Sequence, residues 1–135
     1  MRLWVGWMLL LAACGGGPQL TNLRCRDTAH CQDAEDPLKL LLEVDFSDDS
    51  GTLGAGVLDL RVGGNTQATV SIADMFAAQG VAAGTKKGTL QIDDDLTLDK
   101  LSQGESVQVS VVAVDGQGKR SNEPNLTFAL HLGGP

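Results

Sequence analysis

The feature that most constrains the fold is an alternation of apolar and polar residues within short segments. From Leu38 to Phe46, apolar side chains recur at every second position, and Gly- and Asp-rich clusters such as 48–51 separate this segment from the next. Because successive side chains of a strand point to opposite faces, this period predicts half-buried strands. The same pattern recurs in five further segments: Leu58–Val62, Ala68–Ile72, Leu90–Leu98, Val107–Ala113 and Leu126–Leu132. Short strands at this spacing predict an all-β, antiparallel β-sandwich of about six or seven strands.

Two features depart from the strand pattern. Residues Ala73–Gln79 are typical of a short helix that Gly80 ends, with Met75 or Phe76 covering the core. Three consecutive aspartates, Asp93–Asp95, interrupt the fourth strand. Unbroken alternation would turn Asp94 inward, and burying an unpaired carboxylate is costly. We therefore predict a bulge or break there, with Leu96 and Leu98 resuming the strand.

The N-terminus has the pattern of an export signal. Arg2 is followed by an apolar run from Leu3 to Leu11 and then by Ala12-Ala13-Cys14. The run is about half of the roughly 20 residues that a membrane-spanning helix needs. An ordinary secretory signal with a chance cysteine is the alternative. The segment Leu11-Ala12-Ala13-Cys14 resembles the lipobox of bacterial lipoproteins.

That resemblance implies that residues 1–13 are a signal peptide and that Cys14 carries the lipid anchor. Because Gly15, and not an aspartate, follows the cysteine, it also implies the outer membrane of a bacterial envelope. We expect residues 14–37 to form a flexible tether spanning about 25 Å. Residues 38–132 would form the sandwich and 133–135 a tail.

The two remaining cysteines, Cys25 and Cys31, form an even pair in an exported chain, which favours a local disulfide. A metal site that adds His30 is the alternative. Structural zinc needs four ligands at recognisable spacings, and the sequence offers no obvious fourth ligand nearby.

The charge balance limits the partners. The chain has 17 Asp and Glu against 10 Lys and Arg, a net charge of −7, and loss of Arg2 with the signal would take it to −8. An acidic surface repels nucleic acid and anionic headgroups. We therefore expect no nucleic-acid partner, and we expect membrane attachment to come from the lipid on Cys14 and not from basic residues.

Aspartates at strand ends are the strongest candidates for chemistry. Calcium is bound by six to eight oxygen ligands, and Asp48, Asp49, Asp94 and Asp115 are the candidate ligands. Their spacing does not match the twelve-residue calcium loop, and aspartate is also an ordinary turn residue. No other cofactor is indicated. His30 and His131 are the only histidines, and the sequence contains neither Gly-x-Ser-x-Gly nor His-Glu-x-x-His. We predict no catalytic residues and no enzyme activity.

The segment from Leu101 to Pro124 resembles the last two strands of fibronectin type III and related immunoglobulin-like domains. The likeness rests on Leu101, Gly104, the alternation through Val111-Val112-Ala113-Val114-Asp115, and the Ser121 to Pro124 segment. The chain departs from the family at Val107, where the family has a corner tyrosine. The resemblance implies a binding or structural module that holds a protein partner in the envelope, with pairing at an open sheet edge as its mode. A calcium-dependent adhesion module is the alternative.

Overall fold

The computed structural model of the protein describes residues 17–26, 31–95 and 103–131. In these ranges the chain forms seven antiparallel strands and one α-helix, which confirms the predicted all-β sandwich. One sheet has the order β1-β2-β5 and the other the order β4-β3-β6-β7. The elements are β1 Gln19–Cys25, β2 Lys39–Ser47, β3 Val57–Val62, β4 Asn65–Ser71, α1 Ile72–Gln79, β5 Lys87–Asp95, β6 Ser106–Val114 and β7 Asn125–Ala129.

The core lies between the two sheets and is built from the alternating positions that the sequence marks. On β2 the inward side chains Leu40, Leu42, Val44 and Phe46 are all buried. The helix closes one side of this core, with the Phe76 ring centroid 5.5 Å from that of Phe46. Burial of apolar surface of this kind stabilises the fold by about 25 cal/mol per Å². Beside them in the same sheet lie Leu90 and Ile92 of β5. The main opposing side chains of the other sheet are Leu58, Leu60, Val107, Val109, Val111 and Phe128.

The predicted helix is present and begins one residue earlier than expected, at Ile72. Ser71 caps its N-terminus, because the Ser71 hydroxyl accepts a hydrogen bond from the Asp74 N–H at 3.4 Å. Gly80 ends it in the left-handed conformation, with φ of 71°. Ile72, expected at the end of the third strand, therefore belongs to the helix.

The expectation of a flexible tether over residues 14–37 is wrong for the residues that the structure describes. Residues 19–25 form β1, an edge strand that pairs with β2, and Cys31 is completely buried in the core. A register shift between Thr21 and Arg24, where Asn22 has φ of 54°, breaks the alternation of β1. Only Leu20 of its seven residues is buried, so the sequence carries no periodic signal.

The predicted bulge at the aspartate triplet is also wrong. All nine residues of β5 pair with β2 in one unbroken register, from Lys87 opposite Ser47 to Asp95 opposite Lys39. Asp94 lies opposite the buried Leu40 and shares its inward face. The strand thus keeps its register and accepts a partly buried carboxylate. Leu96 and Leu98 lie outside the described residues.

The remaining strands agree with the sequence pattern. β6 is central in its sheet, between β3 and β7, and its outer-face residue Val112 is completely buried. Leu41, on the outer face of β2, is also buried. β7 ends at Ala129, earlier than expected, although Leu130 is still part of the core. Cys14, His30, Leu132 and the tail lie outside the described residues.

Candidate functional site at the two ends of the sandwich

The strand registers divide the charged residues between two ends of the sandwich. Gln19, Ser47 and Lys87 lie in one row across the three-stranded sheet. The loops that follow this row meet there, because the Asp48 N–H donates to the Lys86 carbonyl at 2.7 Å and the Gly116 N–H donates to the Thr52 carbonyl at 2.9 Å. We call this the basic end, because it carries the exposed residues Lys86, Lys87, Lys119 and Arg120.

The acidic end lies at the other end of the strands. Lys39 pairs with Asp95 there, the Asp33 N–H donates to the Lys39 carbonyl at 2.9 Å, and the Leu130 N–H donates to the Glu105 carbonyl at 2.8 Å. Among the described residues, the basic groups at this end are Lys39 and Arg26, whose guanidinium lies 2.7 Å from the Asp93 carboxylate. Its acidic residues are Asp33, Glu35, Asp36, Asp93, Asp94, Asp95 and Glu105.

Two carboxylates at the basic end are buried and hold the turns. Asp48 accepts hydrogen bonds from the Thr52 N–H at 3.0 Å and from the Ser50 hydroxyl at 2.8 Å. Asp115 accepts hydrogen bonds from the N–H groups of Gln117 at 2.9 Å and Lys119 at 2.8 Å. Burial alone would raise the pKa of Asp115, but these hydrogen bonds outweigh it and lower the pKa. Both side chains therefore act as the turn residues that the sequence allowed.

The four candidate calcium ligands are not brought together. Asp48 and Asp115 lie at the basic end, and Asp49 is exposed beside them. Asp94 lies at the acidic end, a strand length of about 26 Å away at 3.3 Å per residue. In the described ranges, no group of three or more His, Cys, Asp or Glu side chains is arranged to hold a metal ion.

The predicted disulfide is present. Cys25, the last residue of β1, is bonded to Cys31, and their Cα atoms lie 4.3 Å apart. The Leu41 N–H donates to the Cys31 carbonyl at 2.7 Å, and the Arg26 N–H donates to the Leu41 carbonyl at 3.2 Å. The bridge therefore fixes the end of β1 against β2 near the acidic end.

Side-chain amides from the β6–β7 loop and from the helix bind the two outer strands of the three-stranded sheet, a feature that the sequence did not predict. The Asn122 amide exchanges two hydrogen bonds with the backbone of Leu20, at 2.8 and 2.7 Å. The Gln79 amide makes the same exchange with the backbone of Gln91, at 3.1 Å for both bonds. Each amide thus occupies the N–H and C=O that a neighbouring strand would use. No sequence signal identifies these amides, because their roles depend on how the two sheets face each other.

A third amide, that of Gln32, binds the chain just beyond β7. Gln32 accepts a hydrogen bond from the His131 N–H at 2.9 Å and donates to the His131 carbonyl at 2.8 Å. The His131 ring is exposed and lies 3.5 Å from the Gln103 amide. The two hydrogen bonds with Gln32 therefore fix the backbone of His131 just beyond β7.

A polar cavity of about 310 Å³ lies on the outer face of the four-stranded sheet. Glu123 is central to it, accepting a hydrogen bond from the Ser110 hydroxyl at 2.8 Å and lying 3.2 Å from the Arg61 guanidinium. Arg120 reaches Glu123 from the basic end at 3.5 Å. Gly64, Gln108 and Asn125 complete the lining.

Comparisons with known proteins leave the family open. No family model and no curated protein matches this chain. Among solved structures, the chain is similar to the spore cortex lytic enzyme SleM of Clostridium perfringens, with 15% identity and a TM-score of 0.46. The match covers 82% of this chain but only 27% of that enzyme. A likeness of this size carries no argument about function. Within the described residues, no helix has the length and apolar character needed to cross a bilayer.

Proposed function

We propose that this protein is a lipid-anchored protein of the bacterial cell envelope, in the outer membrane, that acts as a non-catalytic binding or structural module. The observation that carries the proposal is the segment Leu11-Ala12-Ala13-Cys14 after a short apolar run. Two acyl chains hold a protein stably on a membrane where one chain does not. The folded sandwich begins close behind, since β1 starts at Gln19.

The architecture supports a binding or structural role. The strand order, with β1-β2-β5 facing β4-β3-β6-β7, supports the likeness to immunoglobulin-like sandwiches. Domains of that kind commonly present edges and loops to partners, although the fold alone does not fix a function.

We place the partner on the open edge of β4. The edges of β1 and β5 already have backbone groups bonded to Asn122 and Gln79, and Gln32 holds the backbone of His131 just beyond β7. None of the seven residues of β4 is buried. An extended segment of a partner protein would add to this strand through main-chain hydrogen bonds.

Metabolic labelling with a radioactive fatty acid tests the anchor. We expect label on the wild-type protein, no label on Cys14→Ser, and an intact mass for the wild type that starts at Cys14. A wild-type chain that stays unlabelled and retains Met1 would overturn the anchor.

Crosslinking in intact envelopes tests the edge. Thr66→Lys places a charge on the exposed edge of β4, and Thr127→Lys makes the same change at an exposed position of β7. We expect the first substitution to remove the crosslinked partner and the second to leave it. Equal yields from both variants would contradict pairing at β4.

A further inference from the structure

We infer that the partner segment bound at the edge of β4 is basic and alternates apolar and polar residues, and that one of its apolar side chains fills a groove between β4, α1 and β5. This inference rests on the proposed pairing at β4 and specifies the chemistry of the partner. The groove has a volume of about 390 Å³. In strand addition, main-chain hydrogen bonds give affinity and pockets for alternate side chains give specificity.

The groove lies beside the open edge of β4. Val70 lines it from the strand, and Val70 lies opposite the buried Leu58 of β3. Because opposite residues of an antiparallel pair share a face, Val70 faces the inner side of the four-stranded sheet. A segment added to β4 would lie about 4.8 Å from it and would have every second side chain on this inner face. These alternate side chains would point towards the groove.

Apolar side chains form the floor of the groove. Met75 and Ala78 are three positions apart on α1 and share one face of the helix, and both line the groove together with Val70. Met75 is buried, Val70 is partly buried against the core, and Ala78 is exposed. Burial of apolar surface is favourable, and methionine adapts its shape to its neighbours. The floor therefore fits an apolar side chain.

The β5 side of the groove is held by side-chain amides. The Gln79 amide already bonds the N–H and the carbonyl of Gln91, which lines the groove. Near the end of β5, the Gln67 amide of β4 donates to the Asp95 carbonyl at 3.3 Å. A segment that enters the groove therefore finds its main-chain partners on β4 and not on β5.

Among the described residues, carboxylates outnumber basic groups around the groove. Asp74 and Asp93 line it against Arg26, whose guanidinium lies 2.7 Å from the Asp93 carboxylate. β4 carries no charged residue, and Lys87 at the start of β5 is outnumbered by Asp93–Asp95 at its end. The whole chain has the same sign, with a net charge of −7. The local charge and the total charge therefore both favour a basic segment.

Asp74 is the group that a lysine or arginine of the segment would face. It is exposed on the first turn of α1, and its N–H donates to the Ser71 hydroxyl at 3.4 Å, which holds it at the end of β4. A basic side chain at this end of the added segment would lie beside the carboxylate. Two copies of this chain paired through β4 would not supply such a group, because all seven residues of β4 are uncharged.

Binding of synthetic peptides to the purified protein in detergent micelles tests the inference. The probe is a fluorescent peptide long enough to span β4, in which valine alternates with threonine and a lysine stands at each end. One comparison peptide has glutamate at both ends, and another has the same composition with the valines consecutive. We expect the probe to bind about fivefold tighter than either comparison peptide and to slow hydrogen exchange in residues 65–71. Raising the salt to about 1 M should remove its advantage over the glutamate peptide.

Two substitutions separate the groove from the strand edge. Asp74→Asn removes the facing charge, and Ala78→Gln places a larger polar side chain in the groove; both positions are exposed, so the thermal melts should be unchanged. We expect Asp74→Asn to weaken binding of the probe by about two- to fivefold. Ala78→Gln should reduce the advantage of the alternating order over the consecutive one. Glu35→Gln removes an exposed carboxylate outside the groove and should leave the affinity unchanged.

The outcomes distinguish this inference from the proposed function. Equal binding of all three peptides, or binding that neither Asp74→Asn nor Ala78→Gln changes, would overturn the inference, while slowed exchange at residues 65–71 would leave the pairing at β4 standing. Failure of every peptide to bind, when Thr66→Lys still removes the crosslinked partner, would have the same meaning. Protection of residues 65–71 that rises with protein concentration and needs no peptide would assign β4 to a second copy and overturn the inference. A crosslinked partner that survives Thr66→Lys would overturn the proposed pairing and the inference with it.

Discussion

Asp94 offers a direct test of the packing, because the carboxylate lies on the inward face of β5. One of its oxygens, Oδ2, is buried and has no hydrogen-bond partner in the described structure. Its cross-strand neighbour Leu40 is completely buried. Leaving a buried polar atom unpaired costs about 1–3 kcal/mol. We therefore expect Asp94→Val, which places a β-branched residue in the strand, to raise the free energy of unfolding by about 1–3 kcal/mol at pH 7.

The pH dependence gives the prediction a second readout. Burial, followed by the charge of Asp95, raises the pKa of Asp94 above its usual value of 3.8. Between the usual and the raised pKa, the folded state binds more protons than the unfolded state. The unfavourable contribution of Asp94 is therefore absent below the usual pKa and grows as the pH rises through the raised pKa. The advantage of Asp94→Val should be greatest at neutral pH and should shrink as the pH falls towards 4.

Urea unfolding at pH 7 and pH 4 measures both effects. For a domain of this size, a gain of 1 kcal/mol raises the melting temperature by about 4–8 °C. Asp95→Val makes the same exchange at the neighbouring exposed position and serves as the comparison; because the charge of Asp95 contributes to the raised pKa of Asp94, we expect a smaller gain from it. If Asp94→Val lowers the stability at pH 7 while Asp95→Val does not, the carboxylate of Asp94 stabilises the fold and the reasoning fails.

Three further predictions concern the amides, the turns and the disulfide. Gln79→Ala should lower stability by about 1–2 kcal/mol and speed hydrogen exchange at the Gln91 N–H, because two hydrogen bonds are lost; unchanged exchange at Gln91 would contradict the pairing. The pKa of Asp115 is lowered, so its ionised carboxylate stabilises the fold above its usual pKa of 3.8, and this stabilisation is lost as the pH falls below that value. The free energy of unfolding of the wild type should therefore decrease in acid, and that of Asp115→Asn should decrease less over the same pH range. The Cys25–Cys31 bridge closes a loop with a sequence separation of 6, and its reduction should lower the free energy of unfolding in urea by about 2 kcal/mol. An unchanged unfolding midpoint would show that packing alone holds β1.

Most of the fold could be predicted because the core residues repeat with the strand period. On β2 the alternation identifies every inward residue, and the capping by Ser71 and Gly80 fixes the helix to within one residue. β1 could not be predicted in this way, since it buries one residue and its register shifts at Asn22. Its position depends on β2 and on the disulfide, which are contacts between residues distant in the sequence.

The aspartate triplet shows why a local cost does not decide a strand's path. A bulge at Asp94 would release the carboxylate to solvent, but it would disrupt the pairs Asp94–Leu40 and Asp95–Lys39 with which β5 ends. The unbroken register keeps these pairs and keeps the outward Asp93 at 2.7 Å from Arg26. These contacts offset the cost of one unpaired oxygen, which is about 1–3 kcal/mol.

The same dependence on register explains why the charge of the whole chain is a poor guide to its surface. Lys86 precedes β5, Lys87 begins it and Asp93–Asp95 end it, so one strand carries both signs to opposite ends of the sandwich. Lys119 joins the first pair only because its loop meets Thr52 through the Gly116 hydrogen bond. The net charge of −7 determines the electrostatic field far from the molecule, whereas the strand registers determine which charged side chains lie together on its surface.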